Sequence, residues 1–318
     1  MIVDVCPEFG YEIACTIPYA YWLHVHGELE KVVTCNGMTP FYYFCDNVEE
    51  RYSVRSIDNF TNGVQNLPNG WIHHNSVAIM GKSYGELSDS DRLCVNGVLD
   101  YSKWLPPPFK EQYGKKKIIL NKPFIVVSNR YNYEHNNPPT GYFDIPCLYE
   151  IFNYLTEAGY SVIYKRPKNT EFSIDHNEQM SLTRKLIIMA EVEGIGNISD
   201  YDLTKYYLDV HLLDDIVSTN TGTYNEIQLR LFSAASGFIS MAGGSGILCS
   251  CFGVPNITYV TTSGELRPNY FQVNSYYRKL SSADIYPIID NEVDIKSRGY
   301  RNYSELFTKV KQVFTNII

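Results

Sequence analysis

The sequence contains no apolar run of about 18 residues, which is the length that a membrane-spanning helix needs, so we expect no membrane span. Basic residues form no run longer than Lys115-Lys116-Lys117, and the formal net charge is −8. Nucleic-acid-binding surfaces are strongly basic. We therefore expect no nucleic-acid partner.

Cysteine motifs are also missing, because none of the eight cysteines forms a Cys-x-x-Cys pair. Met1 is followed at once by the strand-like Ile2-Val3-Asp4-Val5 and not by the pattern of a secretory leader. We interpret the cysteines as reduced thiols. The expected protein is cytoplasmic and carries no structural metal.

A chain of 318 residues with 44% apolar residues is long for one core, which favours two domains. Lys115-Lys116-Lys117, followed by the apolar Ile118-Ile119-Leu120, marks the predicted boundary. We predict an N-terminal domain over residues 1–117, a C-terminal domain over 118–302 and a terminal helix over 303–318.

Strand and helix patterns alternate in both halves, which predicts an α/β fold of two Rossmann-like, doubly wound domains that face a cleft. Helices are predicted over 12–26, 147–159 and 223–235, with a helix-like segment over 181–193. The predicted strands are 2–5, 31–35, 124–128, 160–164, 214–218 and 256–260, with strand-like stretches at 71–74 and 77–80.

The most informative stretch runs from Phe238 to Val260 and reads as a strand, a glycine turn, a helix and a second strand. Glycines permit a close backbone approach, and the N-terminus of the helix that follows favours an anion. The predicted phosphate ligands are Gly243, Gly244, Ser245 and Gly246. A tight turn without a ligand is the alternative.

Polar residues follow two further strands. Ser128, Asn129 and Arg130 follow the first, and we predict that Ser128 and Asn129 bind the donor. The Arg130 guanidinium can bind phosphate through two parallel hydrogen bonds; a surface pair with Glu134 is the alternative. Lys165 and Arg166 end the next strand. We predict that they bind phosphate, and two solvated charges are the alternative. Ligands of such sheets lie beyond the carboxyl ends of the strands, so we expect these groups to converge.

Residues 129–139 and 238–253 together resemble GT-B glycosyltransferases of large DNA viruses and bacterial surface-polysaccharide clusters, and more distantly fucosyltransferases and heptosyltransferases. In the N-terminal half, only Phe9-Gly10-Tyr11-Glu12 carries the resemblance. His135 departs from the pattern, which has an aromatic residue such as Trp there.

The resemblance implies that the glycine turn holds a nucleotide-diphosphate sugar, with UDP or GDP as the nucleotide. The N-terminal domain would take a glycan or glycoprotein acceptor, and the terminal helix would cross back to that domain. Transfer would be inverting and metal-independent, with no tightly bound cofactor, in the cytoplasm of the cell or of a viral host. An epimerase, a pyruvyl transferase and a non-catalytic sugar-binding module are the alternatives.

Glu12 is the candidate catalytic base, because an inverting transfer needs a carboxylate or imidazole near the acceptor hydroxyl. Its alternative role is to cap the helix that it begins. Asp46, His73 and His74 are reserve candidates. The resemblance also implies that Glu226 reaches the ribose hydroxyls, and an exposed helix residue is the alternative there.

Two acidic pairs and one turn are weaker candidates. Asp89-Ser90-Asp91 has the form of a metal-binding DxD motif but lies in a hydrophilic run, so we interpret it as an exposed turn. Asp214-Asp215 is interpreted as structural. Asp200 and Tyr201 follow a turn that would meet the nucleotide base.

Overall fold

The structure is a computed structural model, and it describes residues 1–4, 6–55, 99, 101–134, 139, 141–166, 174–175, 178–180, 188–261 and 270–317. Several of the expectations above fall on other residues. His73, His74, Asp89, Asp91, His135 and the strand-like stretches 71–74 and 77–80 lie outside the described residues.

The N-terminal half is built on a parallel sheet of three strands in the order β1-β2-β3. Its strands are β1 (Ile2–Asp4), β2 (Lys31–Cys35) and β3 (Val48–Tyr52), and the two-residue β4 (Val54–Arg55) follows. A helical segment connects β1 to β2 and consists of α1 (Phe9–Tyr11), a π-helical turn (Glu12–Thr16) and α2 (Ile17–Val25). A 3₁₀ turn covers Thr39–Tyr42, and α3 (Phe109–Gly114) ends this half.

The C-terminal half contains a larger, wholly parallel sheet of six strands. Not all strands of this half belong to that sheet. In chain order, the strands of the C-terminal half are β5 (Phe124–Ser128), β6 (Asn132–Glu134), β7 (Ser161–Lys165), β8 (Ile174–Asp175), β9 (Glu178–Met180), β10 (Met189–Val192), β11 (Gly196–Ser199), β12 (Val210–Leu212), β13 (Gly237–Met241), β14 (Asn256–Val260) and β15 (Ile285–Ile289).

Strands in the large sheet follow the order β12-β7-β5-β13-β14-β15. The chain starts at the central strand β5, moves outward to β12, and then returns to the other side of β5 with β13. The winding direction therefore reverses between β5 and β13. In doubly wound sheets, a ligand crevice forms at the carboxyl ends of the strands at this switch point.

The helices of this half cover both faces of the sheet. They are α4 (Ile145–Glu157), α5 (Asp200–Thr204), α6 (Leu213–Thr219), α7 (Tyr224–Phe232), α8 (Gly244–Cys249), α9 (Tyr276–Lys279), α10 (Glu292–Arg298) and α11 (Ser304–Val313). Side-chain caps start two of the longer ones, because Asp144 accepts a hydrogen bond from the Cys147 amide and Thr223 accepts one from the Glu226 amide.

Alternating side chains of β5 divide the hydrophobic core in two. Phe124 and Val126 join the cluster that contains α7, α8 and the N-terminal half, while Ile125 and Val127 join the cluster with α4 and α11. The first cluster includes Val3 and Val32 of the small sheet. The two sheets thus share one core, and the division at residue 117 stays a prediction.

Three expectations differ from the structure. Residues 214–218 were expected to be a strand but belong to α6, whose first turn carries Asp214 and Asp215 at the position where acids favour a helix. Met189–Val192, expected to be helical, pairs as a strand with β11. The terminal helix α11, expected to cross back to the N-terminal half, packs on α4, β14 and β15 of the large sheet, because Leu306, Val310 and Phe314 join that sheet's core.

The two halves approach each other closely at Gly10 and Gly244. A Cβ atom on Gly244 would lie 2.9 Å from the Phe9 ring and 3.0 Å from the Gly10 nitrogen, and a Cβ on Gly10 would lie 3.1 Å from the Gly244 Cα. A side chain at either position would therefore crowd the opposing segment. The helical segment after β1 packs directly on the turn between β13 and α8.

Gly244→Ala is expected to destabilise the protein by about 1–3 kcal/mol, the usual cost of overpacking, because the added methyl group meets backbone atoms. The matched control is Gly114→Ala, where a Cβ meets nothing within 4 Å. Urea unfolding of both variants measures the difference. Equal stability of the two variants would contradict the packing described.

Candidate functional site

Two of the predicted phosphate ligands touch each other at the carboxyl edge of the large sheet. Ser128 pairs in register with Lys165 on one side and with Ser240 on the other. From the end of β7, the Lys165 ammonium donates a hydrogen bond of 2.9 Å to the Ser245 hydroxyl in the first turn of α8. Lys165 and Ser245 therefore meet across the switch point.

Lys165 is a buried cation, with a side chain that is 3% exposed. No carboxylate among the described residues forms an ion pair with it. Burial lowers the pKa of Lys165 to about 8, against a weaker opposing effect of Cys249 and Asp214. A buried charge is costly unless it is paired, so this position favours an anion beside Lys165.

The turn that carries Ser245 is held in place from several sides. Gly243 has φ 116°, a backbone conformation that favours glycine. The Tyr277 hydroxyl lies 3.4 Å from both the amide and the carbonyl oxygen of Gly243. Behind the turn, the Asn256 amide donates to the Gly246 carbonyl at 3.2 Å. Amides in the first turn of a helix have no partner within it, so this fixed turn presents donors near Lys165.

Asn129 organises the loop after β5. Its amide nitrogen donates to the Phe143 carbonyl and the Tyr164 hydroxyl, and its oxygen accepts from the amides of Arg130 and Phe143. Both Ser128 and Asn129 are buried. The described contacts of Asn129 therefore give it a supporting position beneath the site.

Arg130 leaves β5 at the carboxyl edge of the sheet, on the strand between Lys165 and the glycine turn. It is partly buried, and its Nε donates to the Gly141 carbonyl at 2.9 Å. A Cβ on Gly141 would lie 2.5 Å from Arg130 Nη2. The Nε side of the Arg130 guanidinium therefore stabilises the loop that leads into α4.

Arg166 lies in a buried ion pair with Asp200 and not at the surface. Its Nη2 donates to Asp200 Oδ1 at 3.1 Å, its Nε donates to Asp200 Oδ2, and its guanidinium lies 4.1 Å from the centre of the Tyr201 ring. Tyr164 also donates to Asp200, at 2.7 Å. To bind phosphate, the Arg166 guanidinium would have to leave Asp200. In the contacts that it makes, Arg166 instead supports β7 and α5.

Glu12 is fully buried at the first position of the π-helical turn, so it does not face an open cleft. One carboxylate oxygen accepts hydrogen bonds from the Thr34 and Tyr42 hydroxyls. The other accepts from Arg55 Nη1 at 2.6 Å. To act as a base, Glu12 would have to exchange one of these donors for an acceptor hydroxyl.

Arg55 connects Glu12 to the contact between the two halves. The guanidinium also donates to the Pro7 carbonyl at 2.7 Å and lies 5.3 Å from the centre of the Phe9 ring. Phe9 in turn packs against Gly244. The Glu12–Arg55 pair therefore fixes the segment that covers the glycine turn.

Glu12→Gln is expected to lower the free energy of unfolding by about 3–5 kcal/mol, because it leaves the Arg55 charge buried without its carboxylate. Combining it with Arg55→Met should restore part of the loss. Denaturant unfolding of both single variants and the double variant gives the coupling energy. Additive losses in the double variant would show that the ion pair does not support the fold.

Glu226 and Asp46 lie away from the Lys165 contact. Glu226 lines a separate cavity with Thr39, Tyr43 and Lys115. Asp46 is exposed after the 3₁₀ turn. In the described residues, neither forms a hydrogen bond with Lys165 or Ser245.

Sequence reasoning missed Arg55, Tyr277 and the role of Gly10. Arg55 carried no local signal, since its partner Glu12 is 43 residues away. Tyr277 is one tyrosine among 27. Gly10 lies inside the Phe9-Gly10-Tyr11-Glu12 motif, and a glycine at this position is a sequence signal for close packing.

Two features are absent from the described residues. No group of three or more His, Cys, Asp or Glu side chains in the described part is arranged to hold a metal ion. Within the same residues, no helix has both the length and the apolar character to cross a membrane.

No protein-family model matches the chain, and no curated protein is similar to it in sequence. Among solved structures, it is similar to ADP-heptose LPS heptosyltransferase II of E. coli, with a TM-score of 0.53, 10% identity and 98% of each chain covered. The two proteins share a fold. This agrees with the predicted α/β fold built on parallel sheets.

Two further structures are similar at a lower level. A family 9 glycosyltransferase of Veillonella parvula gives a TM-score of 0.46 at 10% identity, over 98% of this chain and 96% of the other. The dodecameric, iron-containing glycosyltransferase TibC of E. coli gives 0.39 at 12% identity, over 81% of this chain and 57% of the other.

Proposed function

We propose that the protein is a glycosyltransferase that moves a sugar from a nucleotide-diphosphate donor, UDP- or GDP-linked, to a hydroxyl of a glycan acceptor. The observation that carries the proposal is the buried Lys165 ammonium, which lies against Ser245 at the switch point of a Rossmann-like sheet. A buried cation that forms no ion pair with the described carboxylates, beside a glycine turn, suits a diphosphate. The fold shared with a heptosyltransferase supports the same class of reaction.

In the proposed reaction, the acceptor hydroxyl oxygen forms a bond to the anomeric carbon and the bond to the diphosphate oxygen breaks. The bonding electrons leave with the diphosphate, and the hydroxyl proton passes to a base. Lys165 and the amides near Gly244 and Ser245 stabilise the charge that develops on the leaving group. Arg130, at the end of the strand between them, is proposed to add a second positive charge.

We propose inversion at the anomeric carbon, with Glu12 as the base and no metal ion in the site. In this arrangement Glu12 would release the Thr34 or Tyr42 hydroxyl and accept the acceptor hydroxyl in its place. The charge of Lys165 would take the role that a divalent cation has in metal-dependent transferases. Turnover that persists in EDTA would agree with this, and its loss would contradict it.

Lys165→Ala is expected to weaken binding of UDP or GDP at least tenfold, because it removes the buried charge. The matched control is Lys122→Ala, which removes an exposed lysine next to the amino end of β5, at the opposite edge of the same sheet. Isothermal titration of both variants and the unmodified protein measures the affinities. If no nucleoside diphosphate binds the folded protein, the proposed function is wrong.

Affinity for the nucleoside diphosphate should fall as the pH rises through about 8, because the Lys165 ammonium then loses its proton. Below this pH the charged form is present and binding is strongest. Titrations between pH 6.5 and about 9.5 test the pH dependence. The dependence should be absent in Lys165→Ala, and a pH profile shared by both proteins would assign it to another group.

Product analysis separates the proposed transfer from epimerisation on the same scaffold. With a UDP- or GDP-sugar and an acceptor, a transferase releases the nucleoside diphosphate. An epimerase changes the donor sugar without an acceptor and releases no nucleotide. Release of nucleotide only in the presence of an acceptor is the expected result.

A further inference from the structure

The contact between Lys165 and Ser245 brings together a nucleophile and a base. Lys165 Nζ lies 2.9 Å from Ser245 Oγ, which is the hydrogen-bond distance that proton transfer between two such groups requires. A serine hydroxyl is a weak nucleophile until a neighbouring base takes its proton, and a lysine amine is one of the bases that serve. The glycosyl transfer proposed above uses Lys165 only as a cation and leaves the hydroxyl of Ser245 without a chemical role.

Ser245 occupies a turn between a strand and a helix at the carboxyl edge of the large sheet. The strand β13 ends at Met241, the turn contains Gly243 with φ 116°, and α8 begins at Gly244. The nucleophilic serine of α/β hydrolases lies in a turn of this kind, within the pattern Gly-x-Ser-x-Gly. Gly243 precedes Ser245 by two residues as in that pattern, while Ile247 stands at the position of the second glycine.

The two side chains differ in their access to solvent. Ser245 is partly exposed, whereas the Lys165 side chain is buried. The centre of the Phe232 ring, on α7, lies 6.0 Å from Lys165 Nζ. A substrate can therefore reach the hydroxyl, while the amine lies in surroundings that disfavour its charged form.

The uncharged amine is the form of Lys165 that can accept a proton. Burial lowers the pKa of Lys165 to about 8, so the charged and uncharged forms are both present near this pH. The titratable groups that act on Lys165 are Cys249 of α8 and Asp214 of α6, and both oppose the lowering of its pKa. Burial raises the pKa of the Cys249 thiol to about 12. That thiol therefore stays uncharged, and Asp214 supplies the opposing charge.

We propose that Ser245 is a nucleophile with Lys165 as its general base, and that the pair gives the protein a second activity, the hydrolysis of carboxylic esters. Ser245 Oγ forms a bond to the carbonyl carbon of the ester, and its proton passes to Lys165 Nζ. The bond from that carbon to the alcohol oxygen then breaks. The alcohol oxygen keeps the bonding electrons and takes the proton from Lys165.

Water completes the reaction in a second step. Lys165 takes a proton from the water as the water oxygen forms a bond to the carbonyl carbon of the acyl-serine. The bond from that carbon to Ser245 Oγ breaks, and Oγ recovers a proton from Lys165. The products are the alcohol and the carboxylic acid, and the pair returns to its starting state.

The ester hydrolysis and the binding of a diphosphate use different protonation states of the same amine. The ammonium form of Lys165 attracts an anion, and the uncharged form removes the proton of Ser245. Ester hydrolysis should therefore rise as the pH increases through about 8, over the range in which the affinity for a diphosphate falls.

A fluorophosphonate, which reacts covalently with activated serines, tests for the nucleophile. Mass spectrometry of the labelled protein should show one adduct, on Ser245, and none in Ser245→Ala. The control is Ser304→Ala, which removes an exposed serine whose hydroxyl donates to Asn302 and which should leave the labelling unchanged. No adduct on the folded protein, or an adduct on another residue in place of Ser245, would overturn the proposal.

Lys165→Met tests for the base. The labelling rate should fall at least about a hundredfold, the lower end of what a positioned base contributes. This variant leaves no unpaired buried charge, so we expect it to fold. In the unmodified protein the rate should rise between about pH 6.5 and 9.5, as the amine loses its proton. An undiminished rate in Lys165→Met, or a flat pH profile, would show that Lys165 does not activate Ser245.

Hydrolysis of p-nitrophenyl butyrate at about pH 8.5 tests for the activity itself. An acyl-serine intermediate should give a burst of about one p-nitrophenolate per chain, followed by slower steady release. Release no faster than with Ser245→Ala would overturn the proposal. The assay contains no nucleotide, so this result would leave the proposed glycosyl transfer standing, and a failure to bind UDP or GDP would leave the esterase activity standing.

Discussion

The architecture of the site depends on a positive charge that is buried without a negative partner in the described structure. Lys165 ends an inner strand of the large sheet, and its ammonium donates a hydrogen bond to the Ser245 hydroxyl. Folding must supply the free energy that this desolvation costs. Such a cost is retained where an anion is to be bound, since the ligand then gains a strong, water-shielded interaction.

The same turn is also where the halves of the molecule meet. Gly244 packs on Phe9 and Gly10, and the buried Glu12–Arg55 pair holds that segment in place. A structural change in the small sheet can therefore be transmitted to the turn beside Lys165 through these closely packed residues. This arrangement makes the N-terminal half part of the site's support, in addition to any role in binding an acceptor.

Local patterns predicted much of the fold, because strands and helices with regular periodicity carry their own signal. The strands 31–35, 124–128 and 256–260 were predicted with the bounds that the structure has. A glycine turn before a helix was also predicted at Gly243, and the helix begins one or two residues earlier than expected, at Gly244. The strand predicted at 214–218 was wrong, because an acidic pair before apolar residues also begins a helix. Of the site, Lys165 and Ser245 lie in contact, and their role as phosphate ligands stays a prediction. The ion pairs of Glu12 and Arg166 could not be predicted, since Arg55 and Asp200 are distant in sequence and only the tertiary fold brings them together.

The most direct test of the account is a crystal structure with UDP or GDP bound, since it locates the anion itself. The account predicts that the diphosphate lies within hydrogen-bond distance of Lys165 Nζ and of the backbone amides near Gly244 and Ser245. A diphosphate bound elsewhere, with the Lys165 ammonium still in contact only with Ser245, would contradict it.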